Sequence, residues 1–276
     1  MTQEKIYNNQ YFTKMRGSYE LYLQFAAILP LQKLKDKAIL DVGCGPGRLL
    51  AALADQGCSN LTGLDFSSAA INQAESSLSS LNHPVKISLI KGSVADEDLF
   101  PDCTFDAVYM LDVVEHLPPD VLVLAFKNLR RWLRPGGCLV VHTFPTLGPH
   151  RIYRALLKFI GKNEILDELD AIHCNVQSRS SISRTIIDSG LTIERMWLEN
   201  NLTSTSSLYQ RLPQGLLKST IRFLIQDIFS LVAIQKTMSL IGFAEFVSPS
   251  IYVLCYNQPE SLTDDIQHDF MSKQNN

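Results

Sequence analysis

The sequence predicts an α/β protein with a doubly wound, mostly parallel sheet, on three observations. From Ala38 onward, short apolar runs alternate with amphipathic stretches, the pattern of repeated βαβ units. One run, Ala38-Ile39-Leu40-Asp41-Val42, breaks at Gly43-Cys44-Gly45-Pro46-Gly47 and resumes in the helix formers Leu49-Leu50-Ala51-Ala52-Leu53-Ala54. A second, Leu61-Thr62-Gly63-Leu64, ends in a carboxylate, Asp65, 22 residues after Gly43.

A strand, a glycine turn and a helix N-terminus make a corner where a ligand can lie against bare backbone, because no Cβ stands in the way. The spacing of Asp65 is close to the roughly 20 residues that separate such a turn from an acid holding ribose hydroxyls. An ionised carboxylate accepts from both hydroxyls better than a neutral side chain does. Corner and acid together point to a ribose-bearing ligand; a plain βα turn with an unrelated surface Asp is the bland alternative.

The corner also resembles the first motif of the class I S-adenosylmethionine-dependent methyltransferases: an acid two residues before the first glycine, then Gly-Cys-Gly-Pro-Gly. Dinucleotide dehydrogenases usually carry G-x-G-x-x-G instead. The resemblance continues in order at Phe105-Asp106-Ala107-Val108, Glu115-His116-Leu117 and Leu133-Arg134-Pro135-Gly136-Gly137, and more loosely over 173–197. It implies one Rossmann-like domain of seven strands over 1–256, with an N-terminal lid (1–30), helical insertions (144–175 and 200–248) and a polar tail (257–276). It implies S-adenosylmethionine as cofactor, released as S-adenosylhomocysteine, with contacts from Asp41, Gly43, Cys44, Gly45, Asp65, Phe66, Ser93, Val94 and Leu111. Relatives place an acid where Ser93 stands, so the adenine amino group would meet the Ser93 hydroxyl or the Val94 backbone. The Leu111 carbonyl would accept from the cofactor's α-amino group.

Two histidines are candidate catalytic residues. His116 follows the fourth strand, and its near-neutral ordinary pKa suits a general base; packing is its alternative role. His142 ends the fifth strand, where a satisfied strand-end histidine is the competing reading. Asp112, beside Leu111, is placed to face the acceptor. Tyr7, Tyr11 and Arg16 are candidates for the lid, or simply pack the first helix on the sheet. The acceptor expected is a small hydrophobic molecule, methylated on oxygen first, nitrogen or carbon second. An NAD(P)-dependent oxidoreductase on the same corner, or a non-catalytic ligand-binding or scaffold protein, are the rival readings.

Bulk properties narrow the partners. In 276 residues, 46% hydrophobic and 19% charged, the composition is that of a soluble globular chain. A net charge of −3 gives no electrostatic reason to expect nucleic acid. The polar start and the lack of a long uncharged apolar run lead to a cytoplasmic expectation. Six cysteines at 44, 58, 103, 138, 174 and 255 form no C-x-x-C pair, which argues against a zinc site or disulfide framework.

Taken in order, a helix is expected over 18–29, with Leu21, Phe25 and Ile28 on one stripe. Strands are expected near 38–42, 60–64, 86–90, 105–110, 138–143, 191–197 and 250–256, and helices near 47–56, 67–80 and 119–133. Ser67 is a good N-cap for the second of these. Asp96, Glu97 and Asp98 read as a solvated charge run. Arg151, Arg154, Lys158 and Lys162 share a helix face, which could meet an anionic membrane, an acidic substrate or only water. The apolar 213–247 segment, interrupted by Arg222, Asp227 and Lys236, is too charged for a simple membrane span. It reads as a lid or homodimer interface, with peripheral membrane contact the third option.

Overall fold

Chain winding reverses at the first strand, and that reversal places the site. The computed structural model describes residues 7, 19–79, 81, 85–144, 146–159, 161, 163–199 and 250–258. Within these, β1 (Ala38–Val42), β2 (Asn60–Asp65) and β3 (Lys86–Lys91) step outward in one direction. β4 (Phe105–Leu111) begins on the other side of β1, followed by β5 (Leu133–Thr143), and the order is completed by β7 (Ser250–Tyr256) and β6 (Thr192–Glu199). Ligands of such sheets lie outside the carboxyl ends of the strands at the point of reversal, here between β1 and β4.

β1 pairs in parallel with β2 and β4, as β2 does with β3 and β4 with β5. β7 runs antiparallel to both β5 and β6. The sheet is therefore mixed, where the sequence reading expects a mostly parallel one. A short apolar run such as Ile251–Cys255 reads the same in either direction, so only the pairing reveals the reversed strand.

Alternate residues sort onto two cores. Leu40, Val42, Val108, Met110, Leu139 and Val141 face α4 (Pro119–Trp132) and α7 (Arg179–Asp188), meeting Leu122, Phe126, Leu129, Ile182 and Ile186. Ile39, Ala107, Tyr109 and Val140 face α1 (Tyr19–Ala26), α2 (Arg48–Asp55) and α3 (Ser68–Leu78), meeting Phe25, Leu49, Leu50, Leu53 and Ala74. Two covered faces explain why β1 and β4, apart from Asp41 and Asp106, are apolar rather than alternating. Each fully buried Leu or Phe here contributes about 1.5–3 kcal/mol. The Tyr109 hydroxyl donates to the Ala26 carbonyl at 3.0 Å and ties the end of α1 to the sheet.

α5 (Leu147–Phe159) and α6 (Asn163–Ile172) follow β5 as a pair. Arg154 on α5 forms an ion pair with Asp170 on α6, so one member of the basic face is neutralised within the protein. Lys162, Tyr11, Arg16 and the apolar 213–247 segment lie outside the described residues, as does the tail from 259 on. Asn257, expected to open that tail, is anchored: its side-chain amide donates to the carbonyls of Leu133 and Arg130 at 2.8 and 3.1 Å. β5 also starts at Leu133 rather than near 138. The exposed Arg134–Gly136 stretch bulges between the pairings Phe105–Leu133 and Ala107–Cys138.

Candidate active site

A cavity of about 440 Å³ opens at the reversal point. Asp41, Gly43, Cys44, Gly45, Asp65, Phe66, Ser93, Val94 and Leu111 all line it, together with Asp112, Val113, His116, Tyr7 and the α1 residues Tyr22 and Phe25. His142 is not part of the wall; it reaches the cavity through Asp112.

The glycine turn is built for close approach. Gly43, Gly45 and Gly47 all have positive φ (70°, 50° and 80°), the left-handed region that only glycine enters freely. A Cβ on Gly43 would stand 2.3 Å from Val113 Cγ2, so the turn packs directly on the segment after β4. The N–H groups of Gly43 and Cys44 donate to the Leu64 carbonyl at 2.7 and 3.1 Å, pinning the turn to the end of β2.

Asp65 sits immediately beyond that anchor. Its two carboxylate oxygens accept from the Gly45 and Ser67 backbone N–H groups, each at 2.9 Å. Burial pushes its pKa up, while the Ser67 and Gly45 hydrogen bonds pull it down. Each carboxylate oxygen keeps a second lone pair for a ligand hydroxyl. Ser67 caps α3 as expected, accepting from Ala70 N at 3.3 Å. Its hydroxyl also donates to the Tyr7 carbonyl at 2.7 Å. That bond holds Tyr7 over the cavity, edge-on to Phe66 and His116 with ring centres 5.2 and 5.6 Å away.

Asp41 is 3% exposed, and its Oδ2 has no hydrogen-bond partner among the described residues. Burial, then the nearby Asp65, drive its pKa well above the ordinary carboxylate value. A buried acid with an unsatisfied oxygen facing a cavity is stabilised by a cationic ligand group. Tyr22 lies close by, hydrogen-bonded to Arg48, with its phenol pushed up to about 12 by burial and by Asp112 and Asp41. Burial drives the Cys44 thiol far up, so it stays neutral and serves as a small wall residue.

Ser93 is occupied by its own loop. Its hydroxyl accepts from Ala95 N at 3.2 Å, and its N–H donates to Asp96 Oδ2 at 3.1 Å. Asp96 thus shapes the β3 exit, a job that its place in an acidic run does not reveal.

Beyond β4, Asp112 adopts φ 54°. Glu115 is buried at 1% exposure, accepts from Thr143 Oγ1 at 2.9 Å, and is raised well above its usual pKa by burial and Asp112. His116 Nδ1 lies 2.8 Å from the Ile172 carbonyl, and its ring stacks on His173 at 5.2 Å. His142 Nδ1 lies 2.7 Å from Asp112 Oδ1, while its ring packs against Tyr252 and Phe25 at 4.4 and 5.0 Å. The Tyr22 and Phe25 contributions and the link between Asp112 and His142 escape sequence reading, because they join elements far apart in the chain. Among the described residues no group of three or more His, Cys, Asp or Glu could hold a metal ion, and no helix is long and apolar enough to cross a membrane.

Such a crevice takes a nucleoside-type ligand, and comparison with known proteins narrows the class. Residues 39–137 match the methyltransferase domain family. The chain is 33% identical over 127 residues to the ubiquinone biosynthesis O-methyltransferase of Colwellia psychrerythraea, covering 46% of this chain and 49% of that protein. It is 31% identical over 137 residues to the tRNA U34 carboxymethyltransferase of Aliarcobacter butzleri, covering 49% of this chain and 43% of that protein. The chain spans about half the length of the curated relatives it matches. The solved structure of geranyl diphosphate methyltransferase in complex with SAM superposes with a TM-score of 0.56 at 16% identity, covering 87% of this chain and 86% of that one, a likeness of fold. Over residues 39–137 the chain is therefore similar to S-adenosylmethionine-dependent methyltransferases. The cofactor of that family fits the residues present: a glycine cradle that a Cβ would fill, an acid for the ribose, and an unsatisfied buried carboxylate for a cationic end.

Proposed function

We propose that the protein transfers a methyl group from S-adenosylmethionine to a small hydrophobic acceptor, with oxygen as the receiving atom. Asp65 carries the cofactor half of this reading, since it is held by two backbone N–H groups at the cavity edge with lone pairs to spare. The acceptor half is supported by Val113, Leu117, Pro118 and Val121 together with Tyr7 and Phe66, which give the cavity an apolar wall. Apolar walls around a few placed polar groups suit small-molecule binding.

When bound, the cofactor supplies a methyl already activated on a sulfonium. The protein's own task is then alignment, which can supply roughly 7–11 kcal/mol of a barrier when reacting atoms are held about 3–3.5 Å apart. Asp65 holds the ribose, the Val94 segment meets the adenine, and Asp41 with the Leu111 carbonyl holds the amino-acid end. A carbonyl oxygen only accepts, so His116 Nδ1 carries the ring proton toward Ile172 and Nε2 is the basic nitrogen. His116 Nε2 takes the proton that the acceptor hydroxyl gives up.

Incubation of the full chain with isotopically labelled S-adenosylmethionine and a small-molecule metabolite extract tests this reading, with total tRNA as a parallel arm. Mass spectrometry is expected to find one metabolite gaining a single labelled methyl. Label in the tRNA arm alone would overturn the small-molecule assignment.

A further inference from the structure

Three observations turn on His116 and the residues at the end of α6. The first is lacing. The stretch 172–175 is tied to the turn after β4 at three points. His116 Nδ1 meets the Ile172 carbonyl at 2.8 Å, the Asn175 N–H donates to the Glu115 carbonyl at 3.0 Å, and the Cys174 thiol donates to the His116 carbonyl at 3.4 Å. The second is ring contact. His173, directly after Ile172, lays its ring nearly flat on His116, with centres 5.2 Å and planes 25° apart. Tyr7 meets the same His116 ring edge-on, at 79°. The third is backing. His150 of α5 is buried and stands edge-on to His173, with centres 6.4 Å apart and planes at 88°. His116 lines the cavity, whereas His173 and His150 stand outside its wall.

We propose that His173 is a positioning residue for the reaction: stacked on His116, it holds that ring with Nδ1 on the Ile172 carbonyl and Nε2 toward the acceptor. The inference rests on the reading of His116 as the base and deepens it. One hydrogen bond to a carbonyl tolerates a broad range of angles, so Ile172 alone leaves the imidazole free to rock about that contact. A flat ring on His116 and a ring edge from Tyr7 remove that freedom, since aromatic pairs favour set geometries. Ile172 is also the last residue of α6, whose carbonyl end carries partial negative charge. That end favours the proton on Nδ1 and stabilises the imidazolium formed when Nε2 takes a second one. The α5–α6 pair therefore has a part in the reaction: α6 leads into the carbonyl and the stacking ring, and α5 backs that ring with His150.

Nitrogen-15 NMR of the imidazole rings in the full chain reads this directly, without cofactor and in mildly alkaline buffer. The His116 signals are those lost in His116→Asn. The wild type is expected to show His116 as one tautomer, protonated at Nδ1 and unprotonated at Nε2. His173→Leu should mix the two tautomers and draw the two nitrogen shifts together. His173→Phe, which keeps a flat ring, should return the wild-type pattern. In a parallel assay, label transfer from S-adenosylmethionine into a small-molecule metabolite extract should slow about ten- to a hundredfold in His173→Leu, the scale of a small misplacement. The KM for S-adenosylmethionine and the affinity for S-adenosylhomocysteine should stay at wild-type values, and His173→Phe should recover most of the rate. In the His116→Asn background His173→Leu should cost nothing more, because its effect travels only through His116. Should His173→Leu not fold, His173→Asn takes its place with the same expected outcomes.

Mixed tautomers in the wild type, or an unchanged tautomer and rate in His173→Leu, would overturn the positioning role. So would a His173→Phe variant as slow as His173→Leu, or a rate loss matched by an equal loss of S-adenosylhomocysteine affinity. Absence of label transfer by the wild type, with the tautomers behaving as expected, would instead overturn the proposed methyl transfer while upholding His173 as the residue that holds the His116 ring.

Discussion

His116 Nδ1 faces the carbonyl of Ile172 at 2.8 Å, so the end of α6 decides which nitrogen of that histidine is basic. Burial lowers the ring's pKa below its ordinary 6.5, against the raising effects of Ile172 and Asp112. The neutral ring therefore persists to lower pH than for a free histidine. With the acceptor in hand, kcat/KM is expected to be level above pH 6.5 and to fall on an acid limb whose midpoint lies below 6.5. His116→Asn should lower kcat by about 10²–10⁴, the usual share of general-base catalysis, while S-adenosylhomocysteine affinity is unchanged. Retention of full activity by this variant would return His116 to a packing role.

Asp41 sets binding against stability. Its pKa is raised in the folded state, so the fold keeps a proton that the unfolded chain releases once the pH passes the ordinary 3.8. The protein without cofactor should therefore lose stability as pH rises through the folded pKa. Asp41→Asn removes that charge and should stabilise the cofactor-free protein at pH 8 by about 1–3 kcal/mol, the scale for a buried unsatisfied group. Near pH 4 the gain should be small. Thermal melts across that range check the sign, and the same variant should bind S-adenosylmethionine more weakly.

Gly43→Ala combines a positive φ with a Cβ driven 2.3 Å from Val113 Cγ2. A loss of at least about 1–3 kcal/mol is expected, the scale of overpacking. Adding Val113→Ala should recover only part of it, since the left-handed backbone remains. Denaturant unfolding of the single and double variants separates the two contributions.

Ser67 caps α3 and holds Tyr7 through the same hydroxyl. Ser67→Ala should cost about 1 kcal/mol as a lost cap. It should also weaken S-adenosylhomocysteine binding, because Tyr7 and Phe66 form one wall of the cavity. A melting shift with unchanged affinity would show that Tyr7 keeps its place without the tie.

Much of this was legible beforehand because local chemistry and fold agree. The run from Ala38 to Ala54 states strand, turn and helix in its composition alone, and Ser67 announces its helix. The direction of β7 was not legible, since apolar alternation carries no polarity. Nor was the start of β5, because Pro135-Gly136-Gly137 reads as a turn whether or not Leu133 pairs beyond it. His142 shows how far strand position goes: it placed the residue at the right end of the sheet, but not facing Asp112 from outside the cavity wall. Asp96 reads as solvent-facing from its acidic neighbours, and only the loop geometry reveals its bond to Ser93.

Asp65, held by the Gly45 and Ser67 N–H groups, is the group proposed to hold the ribose. Calorimetric titration of S-adenosylhomocysteine and NADH into wild-type protein and Asp65→Ala tests that most directly. Binding of S-adenosylhomocysteine but not NADH by the wild type, with a loss of about 1.5–3 kcal/mol in the variant, is the predicted result. Equal affinity of wild type and Asp65→Ala for S-adenosylhomocysteine, or preference of the wild type for NADH, would contradict it.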